Sequence, residues 1–430
     1  MASPAIQPAA VVTSVMFTQE EMVSEHSPVV RAPATGHRWW AVPLAVLGVG
    51  LAVAPLVFSF IPSSALIDKP HCTAYDESDP LVCVSTEPQA VRYALVPADA
   101  EPVEPRLEIT GLPTYDTAGQ IYFVTITEPN ISVLDWFVTR DNDGARLRSE
   151  QEKNPNNESR TTMIQAGQRQ MRTAKDNAVY VALKAAGLPV EITPGEVIID
   201  FLLCLEANAD GTECLEYSPA DDVLDPGDVL TKVNGEKLQI VDDLARALSG
   251  VTAGDMVEVE FERNGTAMTG RIETILAPGE DVPRTIIGFR PIDTTTITLP
   301  EGLEVDIDTD SIGGPSAGLA FALTLIDELT EGDLMGGQRV AVTGTIDVEG
   351  NVGAIGGLNS KASAVRQVGV EYFLVPASQE GQRYPDNLAG ARDAVAGEVE
   401  IIPVATLQEA LDALVRLGGD PVRLASLPEG

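Results

Sequence analysis

The chain has 430 residues, 44% of them hydrophobic, and its 64 acidic residues against 28 basic ones give a net charge of −36. That length allows two or three domains with ordinary cores. That charge excludes a surface built to grip a phosphate backbone, so no nucleic-acid partner is expected, and the acidity reads as a solubilising surface.

In chain order, residues 1–38 are rich in Ala, Pro, Ser and Glu without periodicity and read as a disordered cytoplasmic tail. Residues 39–61 are almost wholly apolar and match the roughly 20 residues that a bilayer's hydrocarbon core requires, with Trp39 and Trp40 placed as interfacial anchors. A buried soluble helix is disfavoured because the run has no polar face. A cleaved signal peptide is the closer alternative; its apolar core would be about 7–15 residues long and nearer the N-terminus, and Ser63-Ser64-Ala65 offers a cleavage site. Arg31 and Arg38 favour a cytoplasmic N-terminus, against Glu20, Glu21 and Glu25 before the run and Lys69 after it. Cysteine usage favours the same orientation. Cys72, Cys83, Cys204 and Cys214 all follow the run in two close pairs. Disulfides Cys72–Cys83 and Cys204–Cys214 suit an oxidising compartment outside the cell membrane, with four free thiols as the alternative. No metal site is expected, because His71 is the one histidine on that side and the spacings do not fit zinc.

Residues 62–189 read as an extracytoplasmic N-terminal region, rich in proline to about 110. Within it, 120–127 is strand-like, 140–160 a polar loop, and 161–186 a helix stopped by Gly187 with Pro189 beyond. From 190 short strands take over. Residues 196–205 are β-rich, Pro226-Gly227 and Asn234-Gly235 mark tight turns around a short strand, 241–248 reads as a helix, and 256–263 as a strand ending at Asn264-Gly265. From 285, strand-like runs at 295–299, 303–307, 339–346, 372–375 and 399–403 alternate with helical runs at 316–329, 361–368 and 406–417. The last domain is therefore α+β or α/β.

Two motifs in that domain carry chemistry. Gly313-Gly314-Pro315-Ser316-Ala317-Gly318 opens one apolar helix and Gly356-Gly357-Leu358-Asn359-Ser360-Lys361 opens another. Each alone is an ordinary helix start. Together they set a serine against the only lysine after Lys237, in a stretch that otherwise uses arginine for positive charge. The three histidines, His26, His37 and His71, all precede Ser316, so a Ser-His-Asp triad in the chain order of the nucleophile elbow is excluded. No lysine has a serine three residues before it, which excludes the Ser-x-x-Lys pattern. A lysine becomes a base near neutral pH when burial lowers its pKa. Lys361 sits between Gly356-Gly357-Leu358 and Ala362, Ala364 and Val365 with no acid close in sequence, and amides at the start of Ser316's helix can hold an oxyanion.

The sequence resembles known families in two places. Ser218-Pro219-Ala220, Pro226-Gly227-Asp228-Val229-Leu230, Val233-Asn234-Gly235 and Asp242-Asp243-Leu244 resemble a PDZ domain of the bacterial protease-associated type over 190–278, with an inserted, disulfide-closed loop between Leu205 and Tyr217. The resemblance implies capture of a peptide terminus near Gly195, with Val197 and Ile199 on the receiving strand; a structural spacer is the alternative. GGPSAGLAFAL at 313–323, the run at 340–365 and YFLVPAS at 372–378 resemble the proteolytic domain of Lon-type serine peptidases over 284–418, leaving 419–430 as a tail. Span, PDZ module and this domain together look like the membrane-anchored PDZ–Lon proteins. The resemblance implies Ser316 as nucleophile, Lys361 as general base, and Thr343 supporting the dyad by hydrogen bonding. Gly314 and Ala317 would let a substrate backbone approach, and a homo-oligomer is also implied. Many Lon enzymes carry an acid where Gly313 stands, and this chain departs from them there.

The expected molecule is thus α+β: a transmembrane helix, a β-rich PDZ-like domain and a Lon-type α/β domain acting on protein or peptide substrates. No Gly-Lys pair occurs, so no phosphate-binding loop of that kind exists in this sequence, and neither ATP nor another cofactor is expected. The alternative from another class is a catalytically silent, membrane-tethered PDZ adaptor on a Lon-like scaffold.

Overall fold

The structure is a computed structural model that describes residues 41–75, 83–115, 117–154, 160–207, 214–277, 284–382 and 385–422. It forms two compact units, 1–54 and 55–430. The helix α1, Ala41–Phe58, is an uninterrupted apolar segment of 18 residues that accommodates Pro55. Trp39 and Trp40 of the expected span lie outside the described residues. Among the described residues, no helix is long and apolar enough to cross a membrane.

The second unit is mixed α and β and holds two six-stranded sheets. One is built from β1 (Tyr93–Pro102), β2 (Gln120–Thr127), β3 (Arg146–Arg148), and three strands from far along the chain: β9 (Arg339–Val342), β10 (Tyr372–Pro376) and β11 (Glu400–Val404). Their order is β11-β10-β9-β2-β1-β3, with parallel pairing from β11 to β2 and antiparallel pairing beyond. Strands buried on both faces need near-continuous apolar runs, which β9 and β10 supply in Val340–Val342 and Phe373–Val375, all at 0% exposure. One face packs on α2 (Arg160–Ala185) and α4 (Gly318–Leu329), whose buried residues share a single core with Phe123 and Val342. The other packs on α5 (Leu358–Gln367) and α6 (Leu388–Val395).

This corrects the expected domain boundary. Residues 62–189 are not a region apart: β1, β2, β3 and α2 belong to the same sheet and core as 284–418. The polar stretch 140–160 also contributes β3, because the alternating Arg146-Leu147-Arg148 packs half-buried Leu147 against the cluster of Val91, Ala94 and Ile131 while pairing with β1. The strand at 120–127 and the helix at 161–186 are legible as elements; what hides their membership is that β2 pairs with β9 from far along the chain.

The second sheet is inserted between α2 and α4. It runs β7-β6-β5-β4-β8, where β4 is Val197–Leu202, β5 Val229–Val233, β6 Met256–Arg263, β7 Thr266–Glu273 and β8 Phe289–Asp293, with a short strand Glu236–Lys237 beside β5 and the helix α3 at Asp242–Ala247. The expected turns form. Asn234-Gly235 and Asn264-Gly265 both adopt positive φ, from 50° to 80°, the conformation that a two-residue hairpin loop demands. The chain enters and leaves this module side by side: Glu191–Thr193 pairs antiparallel with Thr296–Thr298, and Ile192 and Ile297 pack onto the core of the other sheet.

Candidate active site

Ser316 is placed by its main chain. Gly314 takes φ +94°, which turns the chain into α4, and the helix begins at Gly318, two residues after Ser316 rather than at it. The carbonyl of Ser316 accepts hydrogen bonds from Thr343 Oγ1 at 3.0 Å and from the Gly344 amide at 2.9 Å. Gly344 sits at φ +151°, and a Cβ there would stand 2.8 Å from Val352. Thr343, fully buried, therefore supports the serine through its backbone.

Lys361 is placed by α5. That helix starts after Gly357 at φ +70°, where a Cβ would stand 2.6 Å from Ile126. Its first amide, of Leu358, donates to Asp386 Oδ1 at 3.0 Å, and Asp386 Oδ2 lies 2.6 Å from Arg146 on β3. A buried carboxylate thus ties α5 to the far edge of the sheet. Asp386→Ala leaves the Leu358 amide without its acceptor and removes the anion facing Arg146; urea titration is expected to show about 3 kcal/mol less stability, and an unchanged midpoint would remove Asp386 from this role.

The lysine side chain is 2% exposed. Its Nζ donates to the carbonyl of Val124 at 2.6 Å and lies 3.0 Å from Ser316 Oγ. Val124 is free to serve because β9 ends at Val342, opposite Phe123, so that ladder stops one residue short of it. Burial alone lowers the amine's pKa from 10.5 to about 7. An amine that is often neutral at pH 7, next to a serine hydroxyl, can accept that hydroxyl's proton.

The pair opens into a cleft of about 820 Å³ whose mixed polar and apolar lining includes Leu95, Phe123, Ile126, Met171, Ile312 and Ile355. The backbone N–H groups of Ser316 and Ala317 have no acceptor among the described residues. On the α2 side, the Gly314 amide donates to the Gly167 carbonyl at 2.9 Å. A Cβ on Gly313 would lie 3.1–3.3 Å from Gly167 backbone atoms, so the departure at Gly313 has a steric cause in this chain: the helix backbone occupies the space.

Both expected disulfides form, Cys72–Cys83 and Cys204–Cys214, each with Cα atoms 5.8 Å apart. Among the described residues no group of side chains is placed to hold a metal ion. The peptide-receiving strand needs correction. Val197 and Ile199 lie on β4, which pairs with β5 on one side and β8 on the other, and both side chains are in the core. A strand flanked on both sides has no open ladder to offer. Gly195 packs against the backbone of Thr294 and Thr295. The sheet's end strands are β7 and β8, and β8, next to β4, pairs with β4 alone among the described residues. Sequence reasoning also missed Val124, Arg146 and Asp386. A backbone carbonyl carries no sequence signal, and the ion pair joins residues 240 apart.

Residues 294–416 match the family model described as the Lon protease (S16) C-terminal proteolytic domain, and residues 213–274 match that of the PDZ domain. The chain is similar to the Lon protease of Neorickettsia sennetsu, 36% identical over 109 residues that cover 25% of this chain and 12% of that protein. It is similar to the Lon protease of Azospirillum brasilense, 38% identical over 104 residues, covering 24% and 12%. It is also similar to the archaeal Lon protease of Methanothermobacter thermautotrophicus, 33% identical over 115 residues, covering 25% and 16%. The chain thus spans about an eighth of the length of these relatives. A solved PDZ domain of an SdrC-like protein from Listeria monocytogenes is similar at 19% identity, covering 24% of this chain and 93% of that one with a TM-score of 0.19.

Proposed function

Because the chain carries a Lon-type (S16) proteolytic domain with a PDZ domain N-terminal to it, we propose that it is a membrane-anchored serine endopeptidase that works without ATP through a Ser316–Lys361 dyad. The observation that carries this reading is the 3.0 Å approach of a buried Lys361 Nζ to Ser316 Oγ at the floor of a cleft. Ser316 Oγ attacks the scissile carbonyl while neutral Lys361 takes its proton. The amides of Ser316 and Ala317 receive the oxyanion. The lysine ammonium then protonates the leaving amine, and a water molecule deprotonated by Lys361 releases the acyl group.

The PDZ module delivers extended peptides, added as a strand along the open edge of β8. Residues 39–61 anchor the chain, with the N-terminus cytoplasmic and the folded domains outside. Two disulfides support an oxidising compartment for those domains. The test is a serine-directed acylating probe on the full chain. Labelling is expected to vanish in Ser316→Ala and to weaken at least tenfold in Lys361→Ala. No labelling of the unaltered chain under any condition would favour the silent adaptor.

A further inference from the structure

The cleft is lined by six side chains that are charged or can become so: Asp99, Glu101, Arg146, Arg148, Lys361 and Asp386. Four of them are neutralised in pairs. Glu101 meets Arg106 at 2.6 Å, Arg146 meets Asp386 at 2.6 Å, and Arg148 meets Glu128 at 3.2 Å. Lys361 is the buried amine already described. Asp99 remains: its side chain has no cationic partner among the described residues, and it is exposed.

Its position is built rather than incidental. The β1–β2 register slips between Pro97 and Ala100, a bulge that turns residues 98 and 99 out of the ladder. Such irregularities re-aim side chains next to functional sites. Both backbone groups of Asp99 are fixed on Thr125, with its amide donating to Thr125 Oγ1 at 3.2 Å and its carbonyl accepting from the same hydroxyl at 3.1 Å. Thr125 follows Val124, whose carbonyl holds Lys361. The main chain that carries the carboxylate is therefore tied to the residue that follows the carbonyl orienting the amine. Glu101, two residues further along β1, shares the guanidinium of Arg106 with Asp310, so that cation is already engaged.

We propose that Asp99 is a specificity-determining residue that binds a lysine or arginine side chain of the substrate beside the scissile bond. An unpaired carboxylate attracts a cation and repels an acid. The net charge of −36 steers cationic segments toward the molecule before contact. The inference rests on the peptidase reading for its place beside a scissile bond.

The test uses the full chain and C-terminally amidated peptides that differ only in carrying Lys, Gln or Glu at successive positions. Amidation removes the free carboxylate by which a PDZ domain would compete. In the Ser316→Ala chain, one Lys position is expected to bind about fivefold more tightly than Gln at low salt, with the advantage fading as salt rises. Asp99→Asn is expected to abolish that advantage, and Asp99→Lys to transfer it to Glu. Equal binding of Lys and Gln peptides, or an advantage that survives Asp99→Asn, overturns the proposal. Cleavage by the chain with Ser316 intact is read separately. Binding preference without cleavage of any peptide leaves the cation site standing and removes the peptidase reading instead.

Discussion

Lys361→Met is expected to lower kcat/KM by about 10³–10⁴-fold while making the protein more resistant to unfolding at pH 6 to 7. Both effects follow from one buried amine. Methionine has an unbranched stem of similar length and leaves the cavity filled, but it cannot accept a proton, and a positioned base contributes about 10²–10⁴ to such reactions. The stability effect has a definite sign. The folded chain holds this amine at a pKa of about 7, against 10.5 for an ordinary lysine. Between those values the unfolded chain binds more protons, so stability rises with pH across the window, by on the order of 5 kcal/mol in full. Below pH 7 that whole cost is present, and the methionine variant escapes it. It forfeits the hydrogen bond to the Val124 carbonyl, a loss of about 1–2 kcal/mol. Thermal unfolding should therefore show a higher midpoint for Lys361→Met at pH 6, with the gap closing and reversing toward pH 10. The activity of the unaltered chain should climb tenfold per unit below about pH 7 and level off above it. A pH-independent rate, or a methionine variant that melts earlier at pH 6, contradicts a neutral buried amine.

Gly313→Asp is the second large effect. The Cβ alone would sit 3.1–3.3 Å from the Cα, C and O atoms of Gly167. These are helix backbone atoms, and a helix of 26 residues does not yield locally as a side chain does. The strain falls instead on the loop that carries Ser316, whose Gly314 amide is bonded to that same Gly167 carbonyl. Displacing Ser316 by about 1 Å costs around 10²-fold in rate, and overpacking of this kind costs about 1–3 kcal/mol. Peptide hydrolysis and urea unfolding should both register the change. Gly167→Ala is the control: its Cβ would meet Gly313 no closer than 3.6 Å, an ordinary contact, so activity should stay within severalfold. A Gly313→Asp variant as active as the parent would show that α2 does not set the position of the loop.

How much of this was legible in the sequence depended on where the partners lay. The motifs around Ser316 and Lys361 announced themselves because each couples glycines to a helix start within six residues. The hairpins at Asn234-Gly235 and Asn264-Gly265 were legible for the same reason, since their requirement for positive φ is local. The two disulfides join cysteines only 10 or 11 residues apart and needed no knowledge of the fold. Legibility failed at long range. The strand at 196–205 reads as the opening of the peptide-binding module, yet its edge is filled by Phe289–Asp293, nearly a hundred residues later. The first three strands of the peptidase sheet look like a separate leader region until β9 pairs with β2. Asp386 and Arg146 are ordinary surface types whose meaning comes wholly from burial.

The paired strands Glu191–Thr193 and Thr296–Thr298 bring both ends of the inserted module to one point on the peptidase core. A graft whose chain enters and leaves at one point can be exchanged, enlarged or lost without rerouting the polypeptide through the fold that hosts it. Module and host can then change separately: the stalk leads back directly to α2 on one strand and toward the serine loop on the other, while the whole of the second sheet lies beyond it.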